Sequence, residues 1–375
     1  MPTLAAAPLR AAALAALLAA ALLAGERWQL QYFYDKNDST LSFQDLQFPS
    51  ARRGFALGVI SDNRDRKPVL AITADGGRTW DLWPLKEPGL SLYFLHEQAG
   101  WMVSLKGRLW KTADGGRSWT QASLDNVRAA PTRVFFLDES RGWLLCRQEQ
   151  VYGTQDGGRS WKLLAAARID NTDDERSIYT WAAFSGDLGL VTGWHRLQQA
   201  GLRRLPGWME PESIPIGNRP STSLLLHTLD GGRNWKSHLL PKLGEITRVR
   251  ISSAGAALML LRHPDSLLLA SEVVAFDLKT LRGGPVYGHR DRWLTDLAFA
   301  GPGRVFVVAL DQEGRSLVPV IPAKLRVLQS TDAKKWTEME VDYRAEALSA
   351  FLAVPEPAHA WLATDTGMIL KLVQD

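Results

Sequence analysis

Acidic side chains are the first candidates for chemistry in this chain. Residues 170–175 read DNTDDE, so Asp170, Asp173, Asp174 and Glu175 could supply the paired carboxylates with which a glycosidase flanks a sugar bond. Adjacent acids in one loop also read as a plain solvated edge. The run lacks the 1, 3, 5 ligand spacing and the glycine of a calcium loop. His289 and Asp291 form a pair without a third ligand. Cys146 is the single cysteine, which excludes an intrachain disulfide and a thiolate metal cluster, and its apolar setting WLLCR reads as a buried strand. No G-x-S-x-G, H-E-x-x-H or P-loop is present. Neither a metal nor a cofactor is expected, and no catalytic residue is assigned.

A different acid recurs. TADGGRTW (Thr73 to Trp80), TADGGRSW (from Thr112), TQDGGRSW (from Thr154) and TLDGGRNW (from Thr228) place Asp75, Asp114, Asp156 and Asp230 in one frame, and STDAKKW (from Ser330) places Asp332 in a weaker copy. An Asp side chain accepts hydrogen bonds from the backbone just after it, the glycines supply positive φ, and the closing Trp offers a large apolar face. This is the chemistry of a hairpin corner. A catalytic group is needed once, so five copies read as structure.

The elements around the corners repeat too. GWMVSLKGRLWKTADGGRSW (from Gly100) and GWLLCRQEQVYGTQDGGRSW (from Gly142) each give two strands, the corner and a third strand, and LSLYFLH or TRVFFLD supplies one before them. Four short strands per unit make a β-propeller blade. Asp75 to Asp114 is 39 residues and Asp114 to Asp156 is 42. Asp156 to Asp230 is 74, or 46 once the polar insertion 195–222 is set aside, and the 102 residues to Asp332 hold two units, one without its corner sequence, near VVAFDLKTL (from Val273). The last unit, Leu348 to Leu372, has three strands, and RWQLQYFYD (Arg27 to Asp35) supplies the fourth from the other end of the chain. The expectation is an all-β chain, one seven-bladed β-propeller over residues 26–375 closed by its N-terminal strand.

The corner resembles the Asp-box, or BNR, motif S/T-x-D-x-G-x-T/S-W, with Asn234 replacing the hydroxyl residue in the fourth copy. The fuller pattern, GW followed by G-x-L-W-K-T-x-DGG-x-S-W, resembles the photosystem II stability and assembly factor family of propellers. The resemblance implies a non-enzymatic protein-binding scaffold that assists a membrane protein or complex. Sialidases carry Asp-boxes as well and give the alternative, an exo-glycosidase or a glycan binder. The F/Y-R-I-P stretch of sialidases is absent, and Tyr179, Tyr287 and Tyr343 are equally eligible for their nucleophile. Three arginines with a Tyr–Glu pair converging in the channel would discriminate the two.

Residues 1–25 carry Arg10, then AAALAALLAAALLA and Gly25, the pattern of a signal peptide or N-terminal anchor, so an exported, periplasmic or extracellular protein is expected. A net charge of +4 with mixed signs argues against a nucleic-acid partner. Long charged loops gather on the face away from the corners: 61–67, 167–177, 195–222, 283–293 and 311–324. Arg64, Arg66, Arg203, Arg204, Trp208, Arg290, Arg292 and Trp293 are the candidate binding residues there, because Arg and Trp dominate binding hot spots.

Overall fold

The structure, a computed structural model, describes residues 25–36, 38–169, 175–197, 222–263, 269–301, 303–311 and 322–374. Apart from one three-residue 3-10 turn at Ala165–Ala167, the described regular elements are strands. Five four-stranded antiparallel sheets follow in chain order, with first strands Ser39–Gln47, Gly89–Phe94, Pro131–Phe136, Glu175–Ser185 and Glu245–Ile251. Two further runs, Arg292 to Val341 and Ala350 to Gln374, belong to one nine-stranded sheet, and Glu26–Phe33 lies between them. That N-terminal strand pairs antiparallel with Met368–Gln374, from Glu26 opposite Gln374 to Phe33 opposite Met368, and touches Glu340 and Val341 in parallel. The two ends of the described chain therefore meet in one sheet, and an edge that would otherwise be open is paired.

Second strands explain the packing. In GWMVS (Gly100–Ser104) every residue is buried, because the strand is covered on both faces: Trp101 and Val103 pack toward the third sheet and Met102 toward the first. An aromatic from the second strand of one sheet lies flat on a phenylalanine ending the first strand of the next. Phe55 stacks on Phe94 at 3.6 Å, Trp101 on Phe136 at 3.8 Å, Trp143 on Phe184 at 4.3 Å and Trp361 on Phe48 at 3.9 Å between ring centroids. The corner tryptophans Trp119, Trp161, Trp235 and Trp80 meet the same four phenylalanines edge-on.

Each corner is a closed hydrogen-bond set. In the second sheet the buried Thr112 hydroxyl donates to Asp114 Oδ1 at 2.8 Å and accepts from Gly116 N, while Asp114 accepts from the backbone and hydroxyl of Ser118 at 2.9 and 2.6 Å. Gly115 and Gly116 hold φ of 71° and 82°, which a side chain at either position would strain. Gly115 N bonds back to the Gln98 carbonyl of its own sheet, and its carbonyl accepts from the Arg53 guanidinium of the preceding sheet at 2.9 Å. The same pattern surrounds Asp75, Asp156 and Asp230, with the Asn234 amide serving where a hydroxyl serves elsewhere. Asp332 is a reduced version: Ser330 donates to it at 3.1 Å, and Ala333 takes φ of 54° in place of a glycine.

Two boundaries differ from the sequence reading. Residues 283–289 are not loop, since Arg282–His289 pairs along its length with Ser271–Asp277 as the outer strand of the fifth sheet. Gly283 and Gly284 resemble turn residues, but here they only place a strand with little side-chain bulk. The segment 195–222 also lends its ends to strands, because Leu188–Leu197 and Thr222–Thr228 pair with each other; residues 198–221 lie outside the described residues. Cys146 is buried, and burial pushes its thiol up to about 12, as suits an inert core residue.

Two predictions follow from the corners. The hydroxyl and backbone N–H of Ser118 hold the Asp114 carboxyl down at about 2. Its stabilising effect is thus present above the ordinary carboxylate range and is lost as the pH falls through about 2. Asp114→Ala should lower stability by about 1 kcal/mol at pH 6, measured by urea unfolding, and by progressively less toward pH 2. At the fifth corner, Ala333→Gly should raise stability by about 0.5–1 kcal/mol, because an alanine in the left-handed region is strained; a lowered urea midpoint would contradict this.

Candidate functional site

First strands meet around an open channel. A cavity of about 490 Å³ is bordered by Gln47, Tyr93, Phe135, Trp181, Arg250, Ala298 and Ala353, one from each first strand. A one-residue irregularity interrupts the pairing of these strands at the same place: between Phe43 and Asp45, Gly89 and Ser91, Pro131 and Arg133, Tyr179 and Trp181, Ile246 and Arg248, and Leu294 and Asp296. Such a bulge re-aims the residue after it. In four strands the extra residue is a threonine whose hydroxyl donates to the carbonyl of the neighbouring strand, Thr132 to Leu145 and Thr180 to Thr192 among them. The bulge is thereby fixed, and the re-aimed series is Asp45, Ser91, Arg133, Trp181, Arg248 and Asp296.

Two members of that series hold neighbouring strands together. Asp45 accepts from Leu46 N and, on the next first strand, from Leu92 N, both at 2.9 Å. Asp296 repeats this with Leu297 N at 2.8 Å and Leu352 N at 3.1 Å. Both carboxyls are buried. Burial raises the Asp45 carboxyl above its usual range, against the opposing pull of Arg133 and the Leu92 N–H.

The cationic members surround Trp181. The guanidinium carbons of Arg133 and Arg248 lie 4.1 Å from its ring centroid and that of Arg250 lies 4.9 Å away, within cation–π range. Arg250 donates to Asp296 at 3.0 Å, Arg248 approaches it at 3.6 Å, and Arg133 stands 3.8 Å from Asp45. Burial, then repulsion from Arg248, pushes Arg133 down to about 10, so it remains charged at neutral pH. Three cations against two anions leave the site positive. Among the described residues Arg133 makes no hydrogen bond, although a guanidinium carries five donors. The arrangement can grip a carboxylate or another planar anion; among the described residues no group of three metal-ligating side chains occurs.

The residues expected from the sequence are dispersed. Arg64 and Arg66 are exposed at the Asp62–Arg66 hairpin of the first sheet. Arg290 is exposed beside Asp291. Arg292 is engaged in a square across the four strands between Arg292 and Val341: Arg292 and Arg326 each bond both Asp311 and Glu338, at 2.7 to 3.0 Å. Trp293 lies beneath Arg262 at 5.5 Å. Arg203, Arg204, Trp208 and the acids Asp170, Asp173 and Asp174 lie outside the described residues. The eligible tyrosines do not join the three arginines. Tyr179 donates its hydroxyl to Ala167 O, Tyr287 packs on Trp336, and Tyr343 is exposed. A sequence signal for the channel does exist: FQDLQF, LSLYF, TRVFF, TWAAF, TRVRI and TDLAF align the first strands, with the variable third or second residue facing inward.

No family model and no curated protein matches the chain. Solved structures do. The chain is similar to YCF48 bound to D1 peptide, at 17% identity and a TM-score of 0.60, over 92% of this chain and 100% of that one. YCF48 from Cyanidioschyzon merolae matches at 16% identity and 0.57, over 92% and 98%. A streptogramin B lyase matches at 9% identity and 0.59, over 94% and 99%. Likeness at such identities speaks for architecture alone, and the architecture is that of a β-propeller.

Proposed function

We propose that the chain is a non-enzymatic, exported β-propeller of seven blades, closed by its N-terminal strand, that binds an extended, carboxylate-bearing segment of a protein in its central channel. The nine-stranded sheet counts as two blades joined where Arg27 and Trp28 meet Glu340 and Val341, which with the five separate sheets makes seven. One observation carries the binding reading: Arg133, Arg248 and Arg250 converge on Trp181 in the channel, and the Arg133 guanidinium donors are unused among the described residues. A space of about 490 Å³ suits a strand-like segment rather than a folded domain. YCF48, a structural neighbour, is known bound to a peptide of D1, which supports a protein segment as the ligand here and an assembly role toward a membrane protein. Export rests on the composition of residues 1–25. The sialidase reading loses support, since three arginines converge but the carboxylates beside them are Asp45 and Asp296, both tied to backbone N–H groups.

Affinity recovery of partners from a detergent-solubilised membrane fraction tests this. Arg133→Ala should reduce partner recovery at least tenfold, about 1.4 kcal/mol, with little change in melting temperature. Recovery by the parent should fall as salt rises. An Arg64→Ala, Arg66→Ala double variant should bind as the parent does; the reverse pattern would move the site from the channel to the loops.

A further inference from the structure

Four first strands end in a phenylalanine that has a ring stacked on its face and a corner tryptophan against its edge. Phe299 ends a first strand in the same way but, among the described residues, has neither. The second-strand position that supplies Phe55, Trp101, Trp143 and Trp361 elsewhere, opposite Gln47, Tyr93, Phe135 and Ala353, is held by Leu258, opposite Arg250. Its cross-strand neighbour is the small Ala275. The corner tryptophan of that sheet, Trp336, faces elsewhere: it packs on Tyr287 at 5.6 Å and donates its indole N–H to Val286 O at 3.1 Å. Ala333 stands in the shortened corner where the others carry two glycines.

The space left by these replacements is a crevice of about 820 Å³, bordered by Leu258, Ala275, Phe299, Gly303, Val305 and Ala333. It opens on the corner face, where it is bordered by residues 252–255 and 331–333, and Phe299 separates it from the channel cavity that Arg250 borders. Lys279 and Arg282 border its mouth and are exposed, whereas the carboxylate of Asp277 is held by the N–H groups of Lys279 and Thr280, and that of Asp332 by Lys334 and Lys335.

We infer that this crevice is a docking slot for one aromatic side chain of a protein partner, which stacks on Phe299. The occupant is read from the molecule itself, because at four equivalent junctions the face of the corresponding phenylalanine is covered by a planar ring at 3.6 to 4.3 Å. An aliphatic side chain would fill volume without matching that flat face, and offset stacking adds to what burial alone contributes. The slot adjoins the channel through Phe299, which borders both spaces, but its test reads indole binding and not recovery of a channel ligand.

Fluorine NMR of the full chain titrated with N-acetyl-5-fluorotryptophanamide tests the inference, with N-acetyl-leucinamide as the competitor. Saturable binding of the indole, displaced poorly by the leucine compound, is expected. Phe299→Leu should weaken it at least tenfold. Leu258→Trp should restore the internal stack, raise the melting temperature and abolish binding. If Leu258→Trp does not fold, Phe299→Leu still decides. Absence of saturation, equal competition by the leucine compound, or binding unchanged in Phe299→Leu would overturn the proposal. Binding that emerges only after removal of residues 1–24 would overturn it as well, since this chain's own N-terminal segment would then be the occupant.

Discussion

Four junctions of this fold depend on a ring of one sheet lying flat on a phenylalanine of the next. Sheets that pack face to face in a circle bury both of their surfaces, so no polar face is left to fix their spacing. The stacked pairs Trp101–Phe136, Trp143–Phe184, Trp361–Phe48 and Phe55–Phe94 fix it instead. Each adds about 0.5–1.5 kcal/mol beyond burial, which matters for a fold whose total stability is on the order of 10 kcal/mol. The aspartate–glycine corners serve these stacks. Their positive-φ glycines let the chain pass close to the rings: a side chain on Gly232 would lie 2.1 Å from Trp143, and Gly76 O accepts the Trp361 indole N–H at 3.1 Å. The conserved-looking chemistry of the motif is therefore turned inward on the protein.

Because the sheets are held at their corner ends, the first strands are free to carry different residues at the channel. The bulge, pinned by a threonine in four of the six strands, sets the backbone, and the next residue varies from Asp45 to Ser91, Arg133, Trp181, Arg248 and Asp296. Its surroundings decide what each can do. Asp45 and Asp296 are spent on the N–H groups of a neighbouring strand, whereas Arg133 keeps its donors. A half-buried guanidinium without hydrogen bonds among the described residues leaves its donors to an anion or to solvent, so the channel is a place where a ligand contributes what the protein does not.

Much of this was legible because repetition is a property of sequence. The DGG corners gave the strand count per unit, and the unfilled last unit pointed to Arg27–Asp35 as its fourth strand, which Glu26–Phe33 supplies. The fifth outer strand was misread as loop because Gly283 and Gly284 carry the signature of a turn, while the pairing that makes them strand lies in residues 271–277. The channel was missed for a different reason. Arg133, Arg248 and Arg250 sit in apolar strands up to 117 positions apart, and only the packing of the third and fifth sheets on either side of the fourth brings them to one tryptophan. Long charged loops drew attention on composition, yet Arg292, one of their candidates, is saturated by Asp311 and Glu338.

Closure also explains how the junction at Phe299 can go without its ring. In an open row of sheets, the interface at Phe299 would be the point of separation, for Leu258 offers no flat contact and Trp336 has turned to Tyr287. In a closed ring that interface cannot part without disturbing another. Its far side is unusually firm: the N-terminal strand pairs with the last strand over its length, Trp28 is buried edge-on against Phe306 at 5.7 Å, and Glu26 joins Arg304 of the adjoining turn. A groove beside Phe299 can stay open to a partner at little cost to the fold, which is the condition any docking site in a tightly packed ring must meet.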